Sequence, residues 1–224
     1  MKDAAVIIVA GGSGTRMGRP KQMLPLAGKK VLERSIEAFL KLPRVGQVIV
    51  VTGDDIFAKI SKRFKGLKHA LPGNTRLQSV ISGVNALEDK FKLVAVHDGA
   101  RPLVNPHTAA ECLESAAKYK AAILAVPLKD TVKKVKDGFV SDTLDRNVLW
   151  AAQTPQCYKT AVLKEALLKF GKFKNATDES QLVEKLGIKV AIVPSDYSNI
   201  KITTPEDLII AEALCKKEQR RKSK

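Results

Sequence analysis

The sequence predicts an α/β fold: a mostly parallel twisted sheet with helices on both faces and a projecting β-arm. Three observations predict it. Short β-branched runs alternate with amphipathic segments, the glycine-rich and polar stretches fall where those runs end, and one segment, residues 130–149, breaks the alternation. Such alternation argues for parallel strands, because each crossover lays a helix over one face of the sheet.

In chain order, AAVIIVA (4–10) reads as the first core strand, VLERSIEAFLKL (31–42) as an amphipathic helix and QVIVVT (47–52) as a second core strand. IFAKISKRF (56–64) follows as a helix, and LVAVH (93–97), AAILAV (121–126) and KVAIVP (189–194) are further strands with helices between them. The break, DTVKKVKDGFVSDTLDRNVL, carries Asp137-Gly138 between two strand-like segments. That is hairpin chemistry, and an arm leaving the sheet can clasp a second subunit. Leu208, Ile209 and Leu214 are expected to anchor the final helix. With no internal repeat and no low-complexity linker, residues 1–224 read as one domain with an arm at about 130–149 and a basic tail at 216–224.

Composition narrows the class. The chain is 45% hydrophobic and 28% charged, as in globular proteins, and no apolar run of roughly 18 residues could span a bilayer. MKDAAVIIVAGG is too short in its apolar part for a signal sequence and runs directly into the glycine loop. Cys112, Cys157 and Cys215 are odd in number and lack metal-ligand spacing, so reduced bystander thiols and a cytoplasmic location are expected. The net charge of +16 admits nucleic acid or phosphorylated small molecules as partners. Part of it sits in the tail KKEQRRKSK, and the other lysines lack the interleaved aromatics of a single-strand binder. A basic RNA-binding protein on a nucleotide-binding fold is the alternative from another class.

The chemistry begins at VAGGSGTRMGRPKQML (9–24). This loop lacks the GK[ST] ending of a Walker loop, and counting from Gly12 the sixth position of a dinucleotide fingerprint is Met17. Glycines after a strand let backbone N–H groups approach a polyphosphate, while Arg16 can grip its oxygens through two nitrogens and Lys21 acts as a point charge. The competing reading is a tight turn with ordinary surface cations. HDGARP (97–102) offers Asp98 beside Arg101. Asp98 suits a ribose hydroxyl or a metal riding on phosphates, or else caps a helix or closes a strand-end ion pair. His97 has no zinc-spaced partners, neither Ser13 nor Ser79 lies in a GxSxG setting, and no Cys/His pair stands out. A chain without its own nucleophile fits a reaction in which one substrate supplies it, such as a phosphate monoester attacking the α-phosphorus of a nucleoside triphosphate. Orientation, cations and Mg2+ then suffice.

The ordered set AGGSGTRMGRPKQ, HDGARP, PLKDTVK, LDRNVLWAAQTPQ, ATDES and SNIKITTPEDL resembles the 2-C-methyl-D-erythritol 4-phosphate cytidylyltransferases across nearly the whole chain. The resemblance implies a Rossmann-like nucleotidyltransferase fold and a homodimer interlocked by the arm. It also implies Mg2+-dependent transfer of CMP from CTP to the sugar phosphate, with no specific nucleic acid and no membrane partner. A related ribitol-5-phosphate cytidylyltransferase is the nearest alternative, and LDRNVLWAAQTPQ and HDGARP lean away from it.

By matched motif, the resemblance assigns Arg16 and Lys21 to the triphosphate and its transition state, and Ala10, Gly11, Gly12, Ser13 and Gly14 to a backbone cradle. It places Asp98 and Gly99 at the ribose and metal-bound phosphates and Lys201 at a phosphate, and Gly73, Asn74 and Ser79 at the base. Thr131 and Arg146 match arm residues that reach the neighbouring subunit's sugar phosphate, while Arg101, Thr154 and Thr177 match other substrate contacts. Two departures adjoin the nucleotide: Pro72 stands where a second glycine is common, and Gly99 where alanine is often found.

Overall fold

The computed structural model describes residues 2–12, 20–172 and 176–222, with side chains through Lys217. Its strands are β1 (Ala4–Val9), β2 (Pro25–Leu26), β3 (Lys29–Lys30), β4 (Val45–Val51), β5 (Lys68–Ala70), β6 (Leu93–Asp98), β7 (Ala121–Pro127), β8 (Lys133–Lys136), β9 (Phe139–Thr143), β10 (Trp150–Lys159) and β11 (Ala191–Pro194). Its helices are α1 (Val31–Leu40), α2 (Asp54–Ser61), α3 (Arg76–Asn85), α4 (Pro106–Tyr119), α5 (Thr160–Phe170), α6 (Glu179–Lys185) and α7 (Pro205–Lys222). The main sheet runs β11-β7-β10-β6-β1-β4-β5. Every strand read from the sequence is present. The additions are the edge strand β5, the short β2–β3 pair and β10, which lies antiparallel to both β6 and β7 in the middle of the sheet.

Alternation along the central strands divides the core into two layers, because successive side chains point to opposite faces. Val6 and Ile8 of β1, Val48 and Val50 of β4 and Ala95 of β6 face α1, α2 and α4, meeting Leu32, Ile36, Phe39, Ile60 and Leu113. Ala5, Ile7, Ile49, Val51, Val94 and Val96 face α3, α5 and α6, where Val80, Leu163, Leu182 and Val183 are buried. Each such Leu or Ile removed from water contributes roughly 1.5–3 kcal/mol, so both faces are strongly fixed.

The final helix departs from expectation in its anchors. Among its described side chains, Ala211 and Cys215 are the buried ones, packed with Leu24, Leu26, Val31 and Ile202, and Leu208 joins them in part. Ile209 is 69% exposed, since it lies on the side of α7 turned away from that cluster. Cys215 therefore packs, and Cys112 and Cys157 are also buried.

Residues 130–149 form the expected hairpin. β8 and β9 pair antiparallel as a separate two-stranded ribbon, with Lys136 opposite Phe139. Asp137 and Gly138 both take positive φ, 52° and 84°, as a two-residue turn matched to strand twist requires. Both strands are exposed throughout. Among the described residues no helix is long and apolar enough to cross a membrane.

Candidate active site

Val9 and Asp98 are register partners at the carboxyl ends of adjacent parallel strands, so the loops after β1 and β6 leave the sheet side by side. Ligands of open α/β sheets bind at this edge. The Gly99 N–H donates to the Val9 carbonyl at 2.9 Å, and a Cβ at Gly99 would stand 3.1 Å from that of Ala10. This close approach explains why residue 99 can be small. Across the same edge, a Cβ at Gly11 would stand 2.2 Å from Pro72 Cβ, so only glycine lets the loop pass. Pro72, one of the two departures from the pattern noted in the sequence, is therefore the wall against which the glycine loop begins.

The loop is held from behind by residues that sequence reasoning did not single out. The buried Gln22 amide donates to the Ala10 carbonyl at 2.8 Å and to that of Gly12 at 3.2 Å, and Thr52 Oγ1 donates to Ala10 at 3.2 Å. The Ala10 N–H also donates to the Val51 carbonyl at 2.8 Å, so Ala10 is tied to the sheet through both its amide and its carbonyl. Lys21 is half-buried and opens the short helical turn Lys21–Met23 that carries Gln22. Ser13, Gly14 and Arg16 lie outside the described residues.

Asp98 is the electrostatic centre of the site. One of its oxygens, Oδ1, accepts from Arg76 Nε at 2.9 Å, and the other, Oδ2, lies 2.7 Å from Lys201 Nζ and 4.0 Å from Arg101 Nε. Burial opposes ionisation, but the charges of Arg76 and Lys201 outweigh it and hold the carboxyl below the usual range. Arg101 donates from Nη1 to the Asn199 carbonyl at 2.7 Å, while Ile202 N donates to the Ala100 carbonyl at 2.8 Å. The segment carrying Lys201 is thus stitched to the HDGARP loop.

Behind Asp98 runs a directed chain of hydrogen bonds. The Asp98 N–H donates to Thr154 Oγ1 at 3.0 Å, Thr154 Oγ1 lies 3.1 Å from His97 Nδ1, and His97 Nε2 lies 3.1 Å from the Arg101 carbonyl. Since a carbonyl only accepts, the proton belongs on Nε2 and the threonine hydroxyl donates to Nδ1. Burial pushes His97 down to about 3, so the ring is neutral and structural. Thr154 is 4% exposed with its hydroxyl engaged in this chain, which orders Asp98.

The turn before α3 is compact. Gly73 N–H donates to Ser79 Oγ at 3.1 Å, and Ser79 Oγ donates to the Thr75 carbonyl at 3.0 Å. Ser79 is buried and shapes the turn, while Gly73 and Asn74 are exposed on it. Thr75 caps α3 by accepting from Gln78 N at 3.1 Å. That cap fixes the start of the helix at Arg76.

The remaining candidates stand on adjoining elements. Thr131 is exposed at the base of the arm, and Arg146 donates to the Lys129 carbonyl at 2.7 Å. That base is tied to the Lys201 segment, because Tyr197 Oη donates to the Pro127 carbonyl at 2.7 Å and Lys129 Nζ sits 3.5 Å from the Tyr197 ring centre. Thr177 is exposed just before Asp178, the cap of α6, whose carboxylate accepts from Gln181 N at 3.1 Å and Gln156 Nε2 at 2.8 Å. Two residues on, fully buried Glu179 pairs with Arg76 Nη1 at 2.6 Å. Arg76 lies two residues after Asn74 and Glu179 inside the motif ATDES, yet nothing in linear sequence pairs them.

The glycines after β1, an ionised carboxylate and converging cations share one strand edge, an arrangement that can hold a nucleotide and a second anionic substrate. The family model described as IspD, 2-C-methyl-D-erythritol 4-phosphate cytidylyltransferase, matches residues 4–217. The chain is 43% identical over 223 residues to the 2-C-methyl-D-erythritol 4-phosphate cytidylyltransferase of Carboxydothermus hydrogenoformans, covering 96% of each chain. To the enzyme of that name from Caldanaerobacter subterraneus subsp. tengcongensis it is 41% identical over 229 residues, covering 96% of this chain and all of the relative. Its fold matches the crystal structure of the 4-diphosphocytidyl-2C-methyl-D-erythritol synthase of Anaerococcus prevotii with a TM-score of 0.86 at 33% identity, over 96% of each chain. The 2-C-methyl-D-erythritol 4-phosphate cytidylyltransferase of Thermus thermophilus follows at 0.80 and 33%, over 96% of this chain and all of that one. A Rossmann-like nucleotidyltransferase sheet, this strand-edge site and similarity along almost the whole chain agree: the protein belongs to the 2-C-methyl-D-erythritol 4-phosphate cytidylyltransferase family.

Proposed function

We propose that this chain transfers CMP from CTP to 2-C-methyl-D-erythritol 4-phosphate, forming 4-diphosphocytidyl-2-C-methyl-D-erythritol and pyrophosphate in isoprenoid precursor synthesis. The observation that carries the site assignment is the Asp98–Lys201 contact of 2.7 Å beside the glycine cradle, which puts a carboxylate and a phosphate-seeking cation at one strand edge. A substrate phosphate oxygen attacks the α-phosphorus of CTP, the bond from that phosphorus to the bridging oxygen breaks, and pyrophosphate carries the electron pair away. The protein orients the reactants and balances charge. Arg16, Lys21 and the Ala10 to Gly14 backbone serve the triphosphate, and Gly73, Asn74 and Ser79 shape the base site. Arg101, Thr131, Arg146 and Thr177 serve the sugar phosphate, Lys201 serves the CTP phosphates and the sugar phosphate that attacks them, and Thr154 acts through Asp98.

Among the described residues no cluster of three or more His, Cys, Asp or Glu side chains forms a metal cage. One ionised carboxylate at the phosphate edge fits Mg2+ that arrives on phosphates and keeps its waters, the usual habit of this ion. Asp98 would hold it, and it would neutralise phosphate charge. The exposed arm supports a homodimer, the basic tail reads as a solvated appendage with no specific nucleic acid partner, and the reduced thiols fit the cytoplasm.

The test is pyrophosphate release across a panel of triphosphates, with 2-C-methyl-D-erythritol 4-phosphate or ribitol 5-phosphate as acceptor. Turnover is expected with CTP and the methylerythritol phosphate. Preference for ribitol 5-phosphate would reassign the acceptor, and a sequence-selective RNA complex without any turnover would replace the enzyme reading.

A further inference from the structure

Glu179 is fully buried, its Oε1 lies 2.6 Å from Arg76 Nη1, and its Oε2 has no hydrogen-bond partner among the described residues. A buried ion pair is weak evidence for stability, because desolvating both charges offsets most of their attraction. An apolar pair of similar volume would pack α3 against α6 with no such cost. The guanidinium is, however, a rigid fork. Its Nη1 is fixed by Glu179 while its Nε donates to Asp98 Oδ1 at 2.9 Å, and the other Asp98 oxygen, Oδ2, meets Lys201 Nζ at 2.7 Å. Glu179, Arg76, Asp98 and Lys201 therefore form a single line of contacts from α6 to the strand edge.

We propose that Arg76 and Glu179 are positioning residues for the transfer reaction: Glu179 sets the guanidinium, the guanidinium sets the Asp98 carboxylate, and that carboxylate places Lys201 for the sugar phosphate. This rests on the cytidylyl-transfer reading above. It also joins the two sides of the site, since Arg76 follows the base-side turn and Glu179 stands two residues after Thr177.

The test is a double-mutant cycle on kcat/KM for the sugar phosphate at saturating CTP, with Lys201→Met introduced into the wild type, into Glu179→Gln and into Arg76→Lys. Glu179→Gln keeps the shape and a hydrogen bond to Arg76, and Arg76→Lys keeps the charge but loses the fork. If the line of contacts acts through Lys201, the effects are not independent, and Lys201→Met should cost roughly fivefold to thirtyfold less in either background than in the wild type. A purely structural pair would lower the unfolding temperature yet leave the cost of Lys201→Met unchanged, and that overturns the inference. Should Arg76→Lys fail to fold, the Glu179→Gln cycle decides alone. Absence of pyrophosphate release by the wild type overturns the functional reading itself, whereas wild-type turnover with independent effects removes only the positioning role.

Discussion

Lys201 Nζ and Asp98 Oδ2 lie 2.7 Å apart, joining the segment before α7 to the end of β6. Lys201→Met should lower kcat/KM for the sugar phosphate by roughly a hundredfold, the range for a lost electrostatic stabiliser. The fold should persist, because Arg76 still balances Asp98. Steady-state kinetics and thermal unfolding check both halves, and near-normal turnover would return Lys201 to the role of a surface cation.

Gly11→Ala should weaken CTP binding, since the new methyl would meet Pro72 Cβ at 2.2 Å and push the start of the cradle off the sheet edge. Pro72→Gly in the same chain should recover much of the loss by removing the wall. Calorimetric titration with CTP separates the three proteins. Equal affinity in Gly11→Ala and the wild type would show that the loop has room to move.

Thr154→Val should destabilise the protein by about 1–3 kcal/mol, because it strips the buried Asp98 N–H of its acceptor and His97 Nδ1 of its donor. The measurement is the denaturant midpoint at constant m-value. A change confined to substrate KM, with stability intact, would move Thr154 from the scaffold to direct substrate contact.

Phe139, Val140 and Val135 are 79%, 62% and 62% exposed on the arm, an apolar surface that water alone covers in one chain. Phe139→Asp should shift the protein to monomer in light scattering without lowering its unfolding temperature by more than a few degrees. Deleting residues 132 to 143 should do the same. A dimer unaffected by both changes would place the interface elsewhere.

Acid should cost a small, assignable part of the stability at the N-terminus. The hydrogen bond from Arg44 holds Asp3 below its ordinary value, through contacts from Nε at 3.0 Å and Nη2 at 2.6 Å. A lowered folded-state pKa means stabilisation that is complete above the unfolded value of about 3.9 and is lost as pH falls through the folded one. Both side chains are partly exposed, so about 0.5–1 kcal/mol is at stake. Asp3→Asn should lower stability by that amount at pH 7 and converge with the wild type near pH 2 in urea titrations. Parallel curves across this range would show that the pair contributes nothing.

The core strands β1, β4, β6, β7 and β11 and most helices were legible because one physical signal, the period of apolar burial, writes itself into local sequence: AAVIIV and QVIVV are buried on both faces and can be little else. Asp137-Gly138 was legible for a similar reason, since few residues tolerate positive φ at two successive positions. β10 was not, because WAAQTPQCYK has no alternating pattern and contains a proline, and its place between β6 and β7 is set by partners on either side. Anchoring of α7 by Cys215 and Ala211 instead of Ile209 was likewise decided by which side of the helix met Leu24 and Leu26. In the site, the kinds of groups present were determined by sequence alone: a glycine cradle, a carboxylate, cations and no nucleophile. Only tertiary structure decided the pairings, from Gly11 against Pro72 to Arg76 between Asp98 and Glu179. Close approach and charge pairing join residues distant along the chain, and no local period records them.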